Sequence, residues 1–167
     1  FLTLVSCTSS LKYEDHIFED LYKLKIESSM VDMGHSDPEA TTEFGNKPKE
    51  FYIKVTHTGL KEYRDFAILH HLEDDELFDE YVSATESYYE NVHSNATVLS
   101  KSNKTVNNLK CTVHELTTMR DNLPVRYKIA YYLSKKNIYQ IHIWTMESRI
   151  ERFGEGMDII IDSFTEL

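Results

Sequence analysis

Apolar residues recur along this chain with two periods. Phe51, Ile53 and Val55 alternate with Tyr52, Lys54 and Thr56, the period-two signature of a strand half-buried on a sheet, ending at Gly59. Shorter alternations predict strands at Leu21 to Ile26 and Ala40 to Phe44, the second followed by a Gly45-Asn46-Lys47-Pro48 turn. Phe78, Tyr81, Val82, Thr85, Tyr89 and Val92 instead fall on one stripe at helical spacing. Asp74 or Asp75 is placed to cap that helix, and it fades at His93-Ser94-Asn95. Strands are then predicted around Thr97 to Lys101, Leu109 to Thr117, Val125 to Leu133 and Tyr139 to Thr145.

The last two strands invite a register argument. Val125, Tyr127, Ile129, Tyr131 and Leu133 form one row, and Tyr139, Ile141, Ile143 and Thr145 form another. A loop of Ser134 to Ile138 sets Leu133 opposite Tyr139 and Ile129 opposite Ile143, joining the two apolar rows, and Lys128 opposite Trp144 as a cation–π pair. The chain closes on a helix whose stripe is Ile150, Phe153, Met157, Ile160, Ile161 and Phe164. Ser148 and Glu151 have the spacing of a capping box, and Gly154 borders the stripe as a point of close approach to the sheet. Helices packed on an antiparallel β-sheet make this an α+β chain.

The front of the chain follows a different logic. Phe1 to Ser6 reads as the end of an apolar signal segment, and Leu4-Val5-Ser6-Cys7 resembles the lipobox of bacterial lipoproteins, in which the cysteine is acylated. Residues 1–6 are accordingly expected to be a signal-peptide remnant. Residues 7–20 are read as lipidated Cys7 plus a polar spacer, and residues 21–167 as one domain. Acyl chains contribute about 0.8 kcal/mol per buried CH₂, so they hold a domain at a bilayer without a spanning helix. No segment has the about 18 apolar residues that spanning requires.

Composition narrows the partners. The 167 residues carry a formal net charge of -10, which argues against nucleic acid, whose phosphates select a basic surface, and equally against an anionic membrane surface as the main ligand. The two cysteines are Cys7 and Cys111; the second alternates with apolar neighbours and reads as a small buried hydrophobe. A Gly-rich phosphate loop and the Gly-x-Ser-x-Gly elbow are missing, and His114-Glu115 lacks the second histidine of a zinc-protease motif because position 118 is Thr. Catalytic residues are therefore not assigned, and no cofactor is expected. His70, His71, Glu73 and Asp74 gather imidazole and carboxylate beside a helix start, the chemistry of a divalent metal site, although adjacent strand histidines point to opposite sides. Asp32, His35, Asp37 and Glu39 form a second polar group without calcium-loop spacing. His142 lies among aromatics as a packed or paired residue, and Trp144 with the tyrosines covers the sheet or lines a binding surface.

The order of elements, with Tyr22-Lys23-Leu24-Lys25-Ile26, Lys49-Glu50-Phe51-Tyr52-Ile53, Tyr139-Gln140-Ile141-His142-Ile143-Trp144-Thr145 and the ending Ile160-Ile161-Asp162-Ser163-Phe164, resembles the PsbP-like family, closest to small lipoproteins of Bacteroidota-type bacteria. The resemblance implies an α/β/α sandwich around an antiparallel sheet. Plant and cyanobacterial relatives are extrinsic subunits of photosystem II, and a eukaryotic relative binds the GTPase Ran. Such divergent tasks on one fold transfer no ligand residue to this chain. The expectation is a non-enzymatic, lipid-anchored outer-membrane protein facing the periplasm, binding another envelope protein. The alternatives are divalent-metal binding at His70 and His71, or an enzyme with an unfamiliar site.

Overall fold

The computed structural model describes residues 11–34, 37–92 and 95–167, so Cys7 and His35 lie outside the described residues. In chain order the strands are β1 (Tyr13–Phe18), β2 (Tyr22–Glu27), β3 (Val31–Asp32), β4 (Ala40–Asn46), β5 (Phe51–Gly59), β6 (Thr97–Val106), β7 (Leu109–Arg120), β8 (Leu123–Leu133), β9 (Asn137–Met146) and β10 (Thr165–Glu166). The helices are α1 (Leu60–Ala67), α2 (Asp74–Val92) and α3 (Ile150–Ser163). One antiparallel sheet runs β3-β4-β5-β9-β8-β7-β6, and a small sheet runs β1-β2-β10. Helices cover both faces of the large sheet, which is the α+β sandwich expected.

Each face has its own core. On one, α3 sets Phe153, Met157, Ile160 and Ile161 against Phe51, Ile53, Ile141 and Ile143, with Tyr22, Leu24 and Ile26 of the small sheet closing the side. Phe153 stacks on Phe51 with ring centroids 4.7 Å apart. On the other, α1 and α2 set Leu60, Leu77, Phe78 and Val82 against Leu116, Ile129, Tyr131 and Ile138.

The β8–β9 register is one residue away from the expected one. Leu133 pairs with Ile138, Ile129 with His142 and Lys128 with Ile143. The Ser134 N–H donates to Asn137 O, and Ser134 Oγ accepts from the N–H groups of Lys136 and Asn137, closing a tight tip at Lys135 and Lys136 in place of a five-residue loop. Alternation fixes a register where one face of the sheet is solvated. Here both faces are covered, so neither row was obliged to point a particular way. Lys128 consequently pairs with Asp158 of α3 at 2.6 Å, and Trp144 stacks on Tyr52 and Tyr127.

Three further expectations are corrected. The stretch read as a polar spacer folds from Tyr13 onward: β1 pairs along the whole of β2, with His16 and Phe18 against Phe44 and with Ile17 exposed. A short helical turn at Glu147–Arg149 precedes α3, and Arg149 caps it without a side-chain bond, so Ser148 and Glu151 form no capping box. That entry is held by tertiary pairs instead: Glu147 binds Arg126, and Arg149 binds Glu50 and Pro48 O. The close approach on α3 belongs to Gly156, where a Cβ would lie 2.1 Å from the Tyr13 hydroxyl; beside Gly154 there is only Ile150.

Candidate functional site: an aromatic cleft at the open end of the sheet

The residues of the alternative metal reading do not converge. His70, His71, Glu73 and Asp74 are exposed on the α1–α2 loop and the start of α2. Asp74 is engaged by Arg64, His70 Nδ1 lies 3.7 Å from Asp65, and the Glu73 N–H donates to the Glu76 carboxylate at 3.0 Å. Among the described residues no three His, Cys, Asp or Glu side chains come together as a metal-holding set. The second polar group is likewise dispersed. Asp32 accepts the Gly34 N–H, and Asp37 binds Lys54 at 2.8 Å and the Glu39 N–H at 3.0 Å. The Lys54 bond, followed by the Glu39 N–H, holds the Asp37 carboxyl below its usual range. Cys111 is fully buried, and burial pushes its thiol up to about 12.

Beneath α2 the sheet carries a polar layer. The Tyr81 hydroxyl donates to Gln140 Oε1 at 3.1 Å, and the Tyr89 hydroxyl sits 3.0 Å from His142 Nδ1. Burial above all, then the Lys54 cation, pushes the His142 imidazole down to about 3, with Asp37 opposing. The ring is therefore neutral at physiological pH, as expected for a packed and paired histidine. His114 is also buried, its ring against Tyr131, and burial lowers it as well. The Tyr131 hydroxyl is buried with no partner.

Among the described residues, Tyr89 over His142 is the last α2 side chain placed on the sheet, and the strands continue beyond it. Tyr52 of β5, Trp144 of β9 and Tyr127 of β8 stand side by side across three neighbouring strands. Their centroids are 5.3 and 5.7 Å apart and their planes within 17° and 22°. Tyr52 Cδ1 lies 2.7 Å from where a Cβ on Gly45 would sit, so glycine on the adjacent β4 lets the Tyr52 ring lie against the backbone. Over Tyr52 and Trp144 opens a cleft of about 430 Å³, lined also by Met33, Leu123 and Met146 and edged by Lys47, Glu50, Arg120 and Asp121. A shallower groove shares Met33 and Lys47 with it and runs on to Val31. Apolar walls with a few charges at the mouth are the makeup of a binding site. His142 lies under Tyr89 and is not among the cleft's lining residues.

Sequence reasoning marked Trp144 and the tyrosines only as a group. Met33, Tyr52, Leu123 and Trp144 stand far apart in the chain and meet through strand order. The one local signal was a glycine, Gly45, directly opposite an aromatic, Tyr52, on the paired strand.

No protein-family model and no curated protein sequence matches the chain. Solved structures do. The solution structure of the cyanobacterial PsbP protein CyanoP from Synechocystis sp. PCC 6803 aligns with a TM-score of 0.59 and 12% identity, over 99% of this chain and 99% of that one. A crystal structure from Bacteroides thetaiotaomicron VPI-5482 aligns with a TM-score of 0.56 and 6% identity, over 92% of this chain and 48% of that one. PA94 of Pseudomonas aeruginosa, a protein of unknown function, aligns with a TM-score of 0.53 and 9% identity, over 90% and 94% of the two chains. At such identities the likeness is one of architecture. Among the described residues no helix is long and apolar enough to cross a membrane. Helices on both faces of an antiparallel sheet, a small sheet beside α3 and alignment to CyanoP along nearly the whole chain establish that this chain has the PsbP-like fold.

Proposed function

We propose that this chain is a non-catalytic, lipid-anchored subunit of a bacterial envelope, held at the outer membrane through Cys7, that recognises another envelope protein with the aromatic cleft. The observation carrying the reading is the cleft over Tyr52 and Trp144, apolar within and charged at its mouth, on the part of the sheet that α2 leaves open. Recognition sites of this kind use aromatic anchors at the centre and a polar rim. The Leu4-Val5-Ser6-Cys7 motif supplies the anchor in this reading, and the PsbP-like fold of CyanoP is compatible with an accessory role.

The test is affinity capture from native membranes with a photo-crosslinker at Leu123. A single envelope protein crosslinked to the native chain and lost with Trp144→Ala supports binding through the cleft. Equal recovery with both chains removes the cleft from the account. Cleavage of a substrate panel by the isolated chain, abolished by one point change, replaces binding with catalysis.

A further inference from the structure

The end of α1 combines two features that the fold itself does not use. Phe66 and Ile68 are 85% and 76% exposed, the two most exposed large apolar side chains among the described residues. Neither joins a core there; Leu69 and Leu72 pack this connection against the α2-side core instead. Ile68 also has a positive φ of 58°. It stands where the chain turns left-handed after α1: the Ile68 N–H donates to Asp65 O and the Leu69 N–H to Arg64 O, the paired bonds of a Schellman ending. Glycine or asparagine suits that position, because a β-branched side chain crowds its own backbone. The other non-glycine residues with positive φ among the described residues are all Glu, Asp or Asn. An exposed ring and a strained, exposed isoleucine two residues apart mark a surface that a partner completes.

The surrounding charge defines that partner. Residues 60–80 carry eight carboxylates against two cations, Lys61 and Arg64, and these are paired with Asp65 and Asp74. The cations of the adjoining elements do not reverse the sign. Counting Lys110, beside Asp75 and Asp79, and Lys135 and Lys136 at the β8–β9 tip still leaves three carboxylates in excess. Such a surface repels nucleic acid and anionic bilayers. A second copy of the chain is no better suited, because at the mouth of its cleft Lys47 and Arg120 are matched by Glu50 and Asp121. The complement is an apolar pocket with a cationic rim.

We infer that Phe66 and Ile68 form a second docking surface, a knob that enters an apolar pocket rimmed by Lys or Arg on another protein. Tyr52 of the cleft and Gly59 at the start of α1 are seven residues apart on β5, about 23 Å along the strand. The knob and the cleft therefore lie toward opposite ends of β5, and the chain can hold two partners at once. The inference depends neither on the anchor at Cys7 nor on the occupant of the cleft.

The test places benzoylphenylalanine at exposed His70 of the full chain in native cells. Irradiation should give one protein adduct, whose crosslinked peptide carries Lys or Arg beside apolar residues. Phe66→Ser should lower its yield about tenfold. Ile68→Gly should lower it too, while raising the folding equilibrium constant about fivefold in urea titration, since glycine accepts positive φ. Opposite signs in the two readouts separate docking from damage to the fold. Trp144→Ala should leave the adduct in place. The inference is overturned by the absence of an adduct, by an adduct that survives Phe66→Ser, or by a crosslinked peptide rich in Asp or Glu. Failure of Ile68→Gly to stabilise the chain, or loss of the adduct with Trp144→Ala, overturns it as well.

Discussion

The two faces of the large sheet are built from different materials. The α3 face is mainly apolar: Phe51, Ile53, Ile141 and Ile143 meet Phe153, Met157 and Ile160, all fully buried, with Tyr132 bonding Ile161 O and Lys128 pairing with Asp158. The α2 face mixes apolar contacts with Tyr81, Tyr89, Gln140, His142 and His114, and beyond Tyr89 the strands carry the cleft over Tyr52 and Trp144. Non-directional burial makes the first face a source of stability. Hydrogen-bonded polar groups, and Tyr52 with Trp144 lining an open cleft, make the second sensitive to pH and available to a partner. One sheet thus separates holding the fold from presenting a surface.

The largest break in this contrast is expected on the closed face. Phe153→Ala removes a ring stacked on Phe51 and should cost about 3–5 kcal/mol in urea unfolding. Trp144→Ala, on the open face, should cost no more than about 1–2 kcal/mol through lost stacking with Tyr52 and Tyr127, while abolishing partner capture. Comparable unfolding midpoints for the two variants would erase the distinction.

Acid should act on the α2 face through His142. The unfolded chain takes up a proton near pH 6.5 that the folded chain refuses until about 3. The unfolded state therefore holds more protons in that window, and stability falls as pH is lowered through it. The slope should reach about 1.4 kcal/mol per pH unit from this group, and His142→Gln should remove that part of it. Urea midpoints from pH 7 to pH 4 measure both; an unchanged slope in the variant would place the acid sensitivity elsewhere.

Smaller effects refine the picture. Gly156→Ala gains helix propensity but forces the Tyr13 hydroxyl aside, and should cost about 1 kcal/mol net. Tyr13→Phe should relieve that penalty, since the hydroxyl it removes is buried without a partner. The smallest effect is expected at the dispersed loop: His71→Ala should leave calorimetric heats with Zn²⁺ unchanged. Micromolar zinc affinity lost in that variant would restore the metal reading.

The stripe of α3 and the alternation of β5 were legible because each element turns a single apolar face toward one neighbour. The β8–β9 register was misread because Ile129 and Ala130, adjacent in sequence, are both buried, one under α2 and one under α3. β1 was missed because a strand of a small separate sheet buries little: Glu14 and Asp15 are exposed, Ile17 faces out and the polar His16 takes a half-buried position against Phe44. The cleft was invisible as a unit: Trp144 announced itself, but its stacking on Tyr52 and Tyr127 and its nearness to Met33 and Leu123 depend on strand order.

By itself the order of residues determined the α+β class, the paired amphipathic elements, the buried states of Cys111 and His142 and the acidity of the whole. These follow from periodicity and composition, which act over a few neighbouring residues. Only the tertiary structure decided the register, the separation of the two faces, the dispersal of His70, His71, Glu73 and Asp74, and the assembly of the cleft. Those outcomes depend on which strands become neighbours and how far α2 reaches across them, distances that no local pattern encodes.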